Sequence, residues 1–136
     1  MPERSSMDDR SSSFDYAVIR VVPRVERAEF INAGVILFAR TLKYLDARIS
    51  LDRDRLRGLC PSADITEIEE HLAMLPLICA GGAEAGAIGE MPQYERWHWL
   101  VSPRSTIIQT SEVHSGISDD PAGELERFLP GCGVGP

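Results

Sequence analysis

One stretch limits what this chain can become: Phe14-Asp15-Tyr16-Ala17-Val18-Ile19-Arg20-Val21-Val22. β-branched and aromatic residues dominate it, which predicts a strand. Alternation puts Phe14, Tyr16, Val18, Arg20 and Val22 on one face and Ala17, Ile19 and Val21 on the other. Both faces are apolar, so the strand belongs inside a sheet covered on both sides. Arg20 then projects from an apolar face, where a charge needs a partner.

The following segments build out that sheet. Pro23 is expected to end the strand, and residues 24–29 form a charged connection. A second strand is read in Phe30 to Ala39. Gly34 inside it signals a bulge or a close backbone approach. Leu42 to Ser50 alternates Leu45, Ala47 and Ile49 against Tyr44, Asp46 and Arg48, a third strand with one wet face. The short links favour an antiparallel meander.

Helices then take over. Leu51, Arg55, Leu56 and Leu59 fall at helical spacing. Asp64-Ile65-Thr66-Glu67 is a variant of the capping box and marks a helix start. Ile65, Ile68, Leu72, Leu75 and Cys79 continue it as a core-facing stripe, which Pro76 should kink or end. The glycines from Gly81 to Gly89 predict a flexible, exposed loop. Residues 91–101 fit either a helix or a strand. Pro92 and Glu95 suit a first helical turn, which favours helix. Ser105 to Thr110 reads as a strand, and Asp119-Asp120-Pro121 opens a last helix through Leu125 and Phe128. The expected fold is α+β: a single domain with an antiparallel sheet of about four strands and helices packed against it. Residues 1–13 are expected to be a disordered lead, 14–129 the domain and 130–136 a flexible tail.

Composition narrows the function classes. With 136 residues and 43% hydrophobic content the chain can bury a substantial core. No apolar run approaches the roughly 18 residues of a membrane span, and the first ten residues carry no secretory signal. Cys60, Cys79 and Cys132 have no metal-like spacing; the first two read as small core hydrophobes. A reducing cytoplasm is the expected compartment. The net charge is −7, with 11 Lys+Arg against 9 Asp+Glu up to Arg57 and 3 against 12 after it. That balance argues against duplex nucleic acid as a partner. It leaves room for a local anion site in the first half.

Three clusters could carry chemistry. Arg20, Arg27, Glu29 and Asn32 could clamp a ligand at one end of the sheet, or form a structural ion pair across the strand connection. Arg104-Ser105-Thr106 sets a guanidinium beside two hydroxyls, which suits a phosphate or carboxylate; the plain alternative is a turn capped by hydroxyls. His114 with Asp119 and Asp120 has the minimum for acid–base work or part of a metal site. The plain alternative is that an aspartate caps the last helix. His98, between Trp97 and Trp99, reads as a packed histidine. No nucleophile elbow, metal cage or cofactor loop is recognisable, so no cofactor or metal is expected.

Tyr16-Ala17-Val18-Ile19-Arg20-Val21-Val22-Pro23, Glu29 to Leu37, Arg96 to Gln109 and Val113-His114-Ser115-Gly116 together resemble the bacterial domain of unknown function 3037 family. The resemblance runs from about Phe14 to Leu129. It implies Arg20, Glu29, Asn32, Gly34, Arg104, Ser105, Thr106 and His114 as characteristic positions. The chain departs from the family pattern at Ala28, where glycine is usual, and at Thr110 and Glu112, where proline is usual. The resemblance also implies a companion role beside a HipA-like kinase. Two functions stay open. One is a non-catalytic partner or adaptor of such a kinase-like protein. The other is a small enzyme or binding domain for a phosphorylated or nucleotide-like ligand, with Arg20 and Arg104 as anion clamps and His114 as acid–base. Either one predicts that Arg20, Asn32, Arg104 and His114 converge.

Overall fold

The computed structural model describes residues 12–103 and 106–129. Five strands form one antiparallel sheet: β1 (Ser12–Arg24), β2 (Glu29–Ala39), β3 (Tyr44–Ile49), β4 (Ile108–Thr110) and β5 (His114–Ser118). β1 is the central strand. β2 pairs along one side of it, while β5 and β4 share the other side end to end. β3 extends the sheet beyond β2. The helices are α1 (Arg53–Leu59), α2 (Ile65–Ala80), α3 (Gly86–Gly89), α4 (Gln93–Val101) and α5 (Pro121–Phe128). The α+β reading therefore holds, with β5 as an added strand. β1 also runs past Pro23 to Arg24 rather than stopping at the proline.

The two sheet faces are covered unequally. Ile19, Val21, Ile31, Ala33, Ile36 and Phe38 pack with β3 residues against α1, α2 and α4 in the main core. The opposite face carries a smaller cluster: Phe14, Val35, Leu37 and Ala39 lie under Leu125 of α5. Tyr16 stacks on Phe128 at 4.2 Å between centroids, and Arg48 of β3 bonds Glu126 of α5. α5 thus closes one half of the second face.

A bulge in β2 decides what occupies the other half. Ile19 pairs with Gly34, but its neighbour Arg20 pairs with Asn32, leaving Ala33 without a partner across the ladder. Regular alternation from Ile36 and Phe38 would have sent Asn32 and Phe30 into the main core. The extra residue reverses the facing, so Ala33 and Ile31 enter the core instead. Gly34 is required there, because a Cβ would collide with the carbonyl oxygen of Arg48.

Local signals explain the helical layer. Asp64 Oδ1 accepts the Glu67 amide at 3.1 Å and starts α2. α2 continues through Pro76 to Ala80, so the expected break does not occur; the proline costs one helical hydrogen bond, and buried Leu75, Ile78 and Cys79 hold the last turn against the core. The Gly81–Gly89 segment is not an open loop: the Gly82 amide donates to the Gly89 carbonyl at 2.8 Å, and Ala85 is buried. Residues 93–101 are helical, as Pro92 and Glu95 suggest, with Trp97 stacked on Phe38 at 5.5 Å. His98 is exposed, not packed; its ring meets only the edge of Tyr94, because Trp97 and Leu100 take the buried side of α4.

Candidate functional site

The half of the second face that α5 leaves open carries Val18 and Arg20 from β1, Phe30 and Asn32 from β2, and Gln109 from β4. Arg20 stands directly between Asn32 and Gln109 across the two ladders. Phe30 is 44% exposed. The Arg20 guanidinium carbon lies 4.2 Å above the Phe30 ring, a cation–π contact that holds the side chain flat on the sheet.

Arg20 lacks the ion pair its position calls for. Its Nε is buried and has no hydrogen-bond partner among the described residues. A buried unsatisfied donor of this kind costs about 1–3 kcal/mol. The expected partner, Glu29, is elsewhere: it pairs in register with Arg24 and forms an ion pair with Arg27 at 3.3 Å, both side chains exposed. The reason is place along the hairpin: with Arg20 opposite Asn32, Glu29 lies three residues nearer the turn and meets Arg24 instead. The clamp drawn from Arg20, Arg27, Glu29 and Asn32 therefore divides. Arg20 and Asn32 stay together, and Arg27 and Glu29 form a separate surface pair.

The remaining site candidates disperse further. Arg104 and Ser105 lie outside the described residues. The Thr106 hydroxyl donates to the Ile108 carbonyl at 2.9 Å and closes the turn before β4. The Gln109 carboxamide donates to the Thr106 carbonyl at 2.8 Å, tying that turn to the Arg20 neighbourhood. His114 pairs across the sheet with Tyr16, their rings 5.4 Å apart. Tyr16 and Arg20 are four residues apart on one strand, roughly 13 Å at the usual strand rise. His114 thus shares the face with Arg20 but not the site. Asp120 Oδ1 accepts the Gly123 amide at 3.2 Å and caps α5, the plain alternative for the aspartates. Among the described residues no three His, Cys, Asp or Glu side chains gather as a metal would need.

Two features escaped sequence reasoning. Arg96 is a buried arginine whose Nε, Nη1 and Nη2 donate to the carbonyls of Ile78 (2.9 Å), Met91 (2.6 Å) and Cys79 (3.2 Å). It satisfies the C-terminal end of α2 and is spent on structure. The second is a cavity of about 240 Å³ on the helical side, lined by Pro23, Arg24, Cys60, Ser62 and Ile107 among others. The Cys60 Sγ lies 3.6 Å from the Ser62 hydroxyl. That hydroxyl, with a smaller effect from the Arg24 guanidinium, holds the thiol below its ordinary range against the opposing effect of burial. Pro23 and Arg24 lie far from Cys60 in sequence, which gave no signal that they meet.

Fold and site together define a small single-domain α+β protein in which, among the described residues, half of one sheet face is open around an arginine without a hydrogen-bond partner. Residues 16–130 match the family described as Protein of unknown function (DUF3037), most of the chain, and the chain belongs to that family. No curated protein and no solved structure matches. No helix among the described residues is long and apolar enough to cross a membrane.

Proposed function

We propose that this chain is a non-catalytic partner of another protein, which docks on the open half of the second sheet face. The observation that carries this reading is the exposure of Phe30 beside Arg20 on a sheet whose other half is already closed by α5. A second helix or loop set down beside α5 would complete that layer and bury the ring and the guanidinium together. Aromatic and arginine side chains are the usual anchors of protein interfaces. A HipA-like kinase, the companion implied by the family resemblance, is the partner to try first. The enzyme reading needs His114 to act on what Arg20 holds, and the strand spacing separates them by roughly 13 Å.

The test is co-purification of the full chain with a HipA-like kinase from the same cell, followed by native mass spectrometry. The expected result is a stoichiometric complex that Phe30→Ser disrupts while leaving the thermal unfolding cooperative. A nucleotide retained in place of a protein would overturn the adaptor reading. So would a complex indifferent to Phe30.

A further inference from the structure

Among the described arginines of the sheet, Arg20 is set apart by its surroundings. Arg48 is engaged by Asp46 and Glu126, and Arg27 by Glu29. Arg24 lines the Cys60 cavity. Arg20 has an aromatic ring beneath it, a carboxamide residue opposite it on each side, and a buried Nε with no acceptor among the described residues. Nε itself is closed off from an incoming group, but the two Nη atoms keep open surface and also have no hydrogen-bond partner among the described residues, so the outer edge of the guanidinium is the part that can meet a group from another molecule.

We infer that Arg20 receives a carboxylate from the docking protein, an acidic side chain set down on the sheet between Asn32 and Gln109. This rests on the docking function proposed above. A guanidinium edge presents two parallel N–H donors, and a carboxylate is the acceptor that matches both. Charge favours it over a phosphate monoester. One guanidinium balances one carboxylate, whereas a phosphate dianion calls for a second cation, and among the described residues Arg27 and Arg48 are already paired. Asn32 is exposed beside the site and adds an amide donor for a carboxylate oxygen. The Phe30 ring would pack against the methylene carbons of the incoming side chain.

The inference is tested on the isolated full chain by nitrogen-15 NMR of arginine side chains, with the Arg20 Nε–H signal assigned by its loss in Arg20→Lys. Sodium acetate is titrated at constant ionic strength against sodium chloride, and inorganic phosphate is titrated separately. The expected result is a saturable shift of the Arg20 signal with acetate, with the signal of Arg55, exposed and without a side-chain partner among the described residues, unmoved. No acetate shift, or one shared equally by Arg55, overturns the inference. A response to phosphate alone also overturns it and reassigns the site to a phosphate monoester. Because no protein partner is present, these failures are separate from failure of the docking reading, which the co-purification decides. In the complex, Arg20→Gln should weaken binding by about tenfold or more; unchanged binding would contradict the inference.

Discussion

Arg96 and Ala28 are two residues at which a single substitution reads directly on stability, in opposite directions. From a position 9% exposed, Arg96 serves two carbonyls at the end of α2 and a third, that of Met91, ahead of α4. Arg96→Met keeps the bulk and removes every donor, so unfolding in urea should show a loss of about 3 kcal/mol or more, from several buried acceptors left unmade. Ala28 sits at φ 56° in the turn between β1 and β2. An L side chain pays for that left-handed conformation and glycine does not. Ala28→Gly should raise stability by about 1 kcal/mol in the same assay. A third effect concerns pH. Burial pushes the Cys79 thiol from 9.0 up to about 12. Below pH 9 the thiol is protonated in both states and costs nothing. As pH rises toward 12 the unfolded chain ionises first, so stability is lost by up to about 1.4 kcal/mol per pH unit. Urea midpoints followed upward from neutral pH should fall less steeply in Cys79→Val than in the native chain.

At the level of elements, β2 decides the face that matters. Gly34 in an apolar run was a readable sign of a bulge. Its consequence was not readable, because it depends on which β1 residue each β2 residue meets. The pairing of Arg20 with Asn32 came out of that register, and Glu29 is left three residues nearer the turn, opposite Arg24. Gly34→Ala should therefore act on more than backbone freedom. A methyl group against the Arg48 carbonyl forces β2 and β3 apart or slips the register. The expected cost is about 2–3 kcal/mol in denaturant unfolding, by overpacking at a closed site, together with loss of the Arg20 side-chain signal position in NMR. β1, β2, β3 and the amphipathic helices were legible because each carries its own period. β5, with the sequence His114-Ser115-Gly116-Ile117-Ser118, was not. Its residues have weak strand preference, and it exists because the β1 edge from Ser12 to Tyr16 pairs it.

At the scale of the whole molecule, the five strands and five helices of the described residues cover one sheet face except at its β5 end, where Ile117 is exposed, and the other over half its extent. The sequence signalled both-sided coverage of β1 correctly up to Val18. It placed Arg20 on an apolar face, and the missing partner in the fold is what turns that oddity into a candidate site. The polar residues expected to converge there are sorted by the fold: Arg20 and Asn32 meet on the open half, Arg27 with Glu29 and the turn at Thr106 are tied up locally, and His114 lies toward α5. The central claim is that the open half is where a protein partner sits. Hydrogen–deuterium exchange of the chain alone and with the co-purified kinase-like protein tests it most directly. The account predicts new protection across 18–22, 30–32 and 108–110. Protection confined to the outer surfaces of α2 and α4, with the Phe30 side of the sheet unchanged, would contradict it.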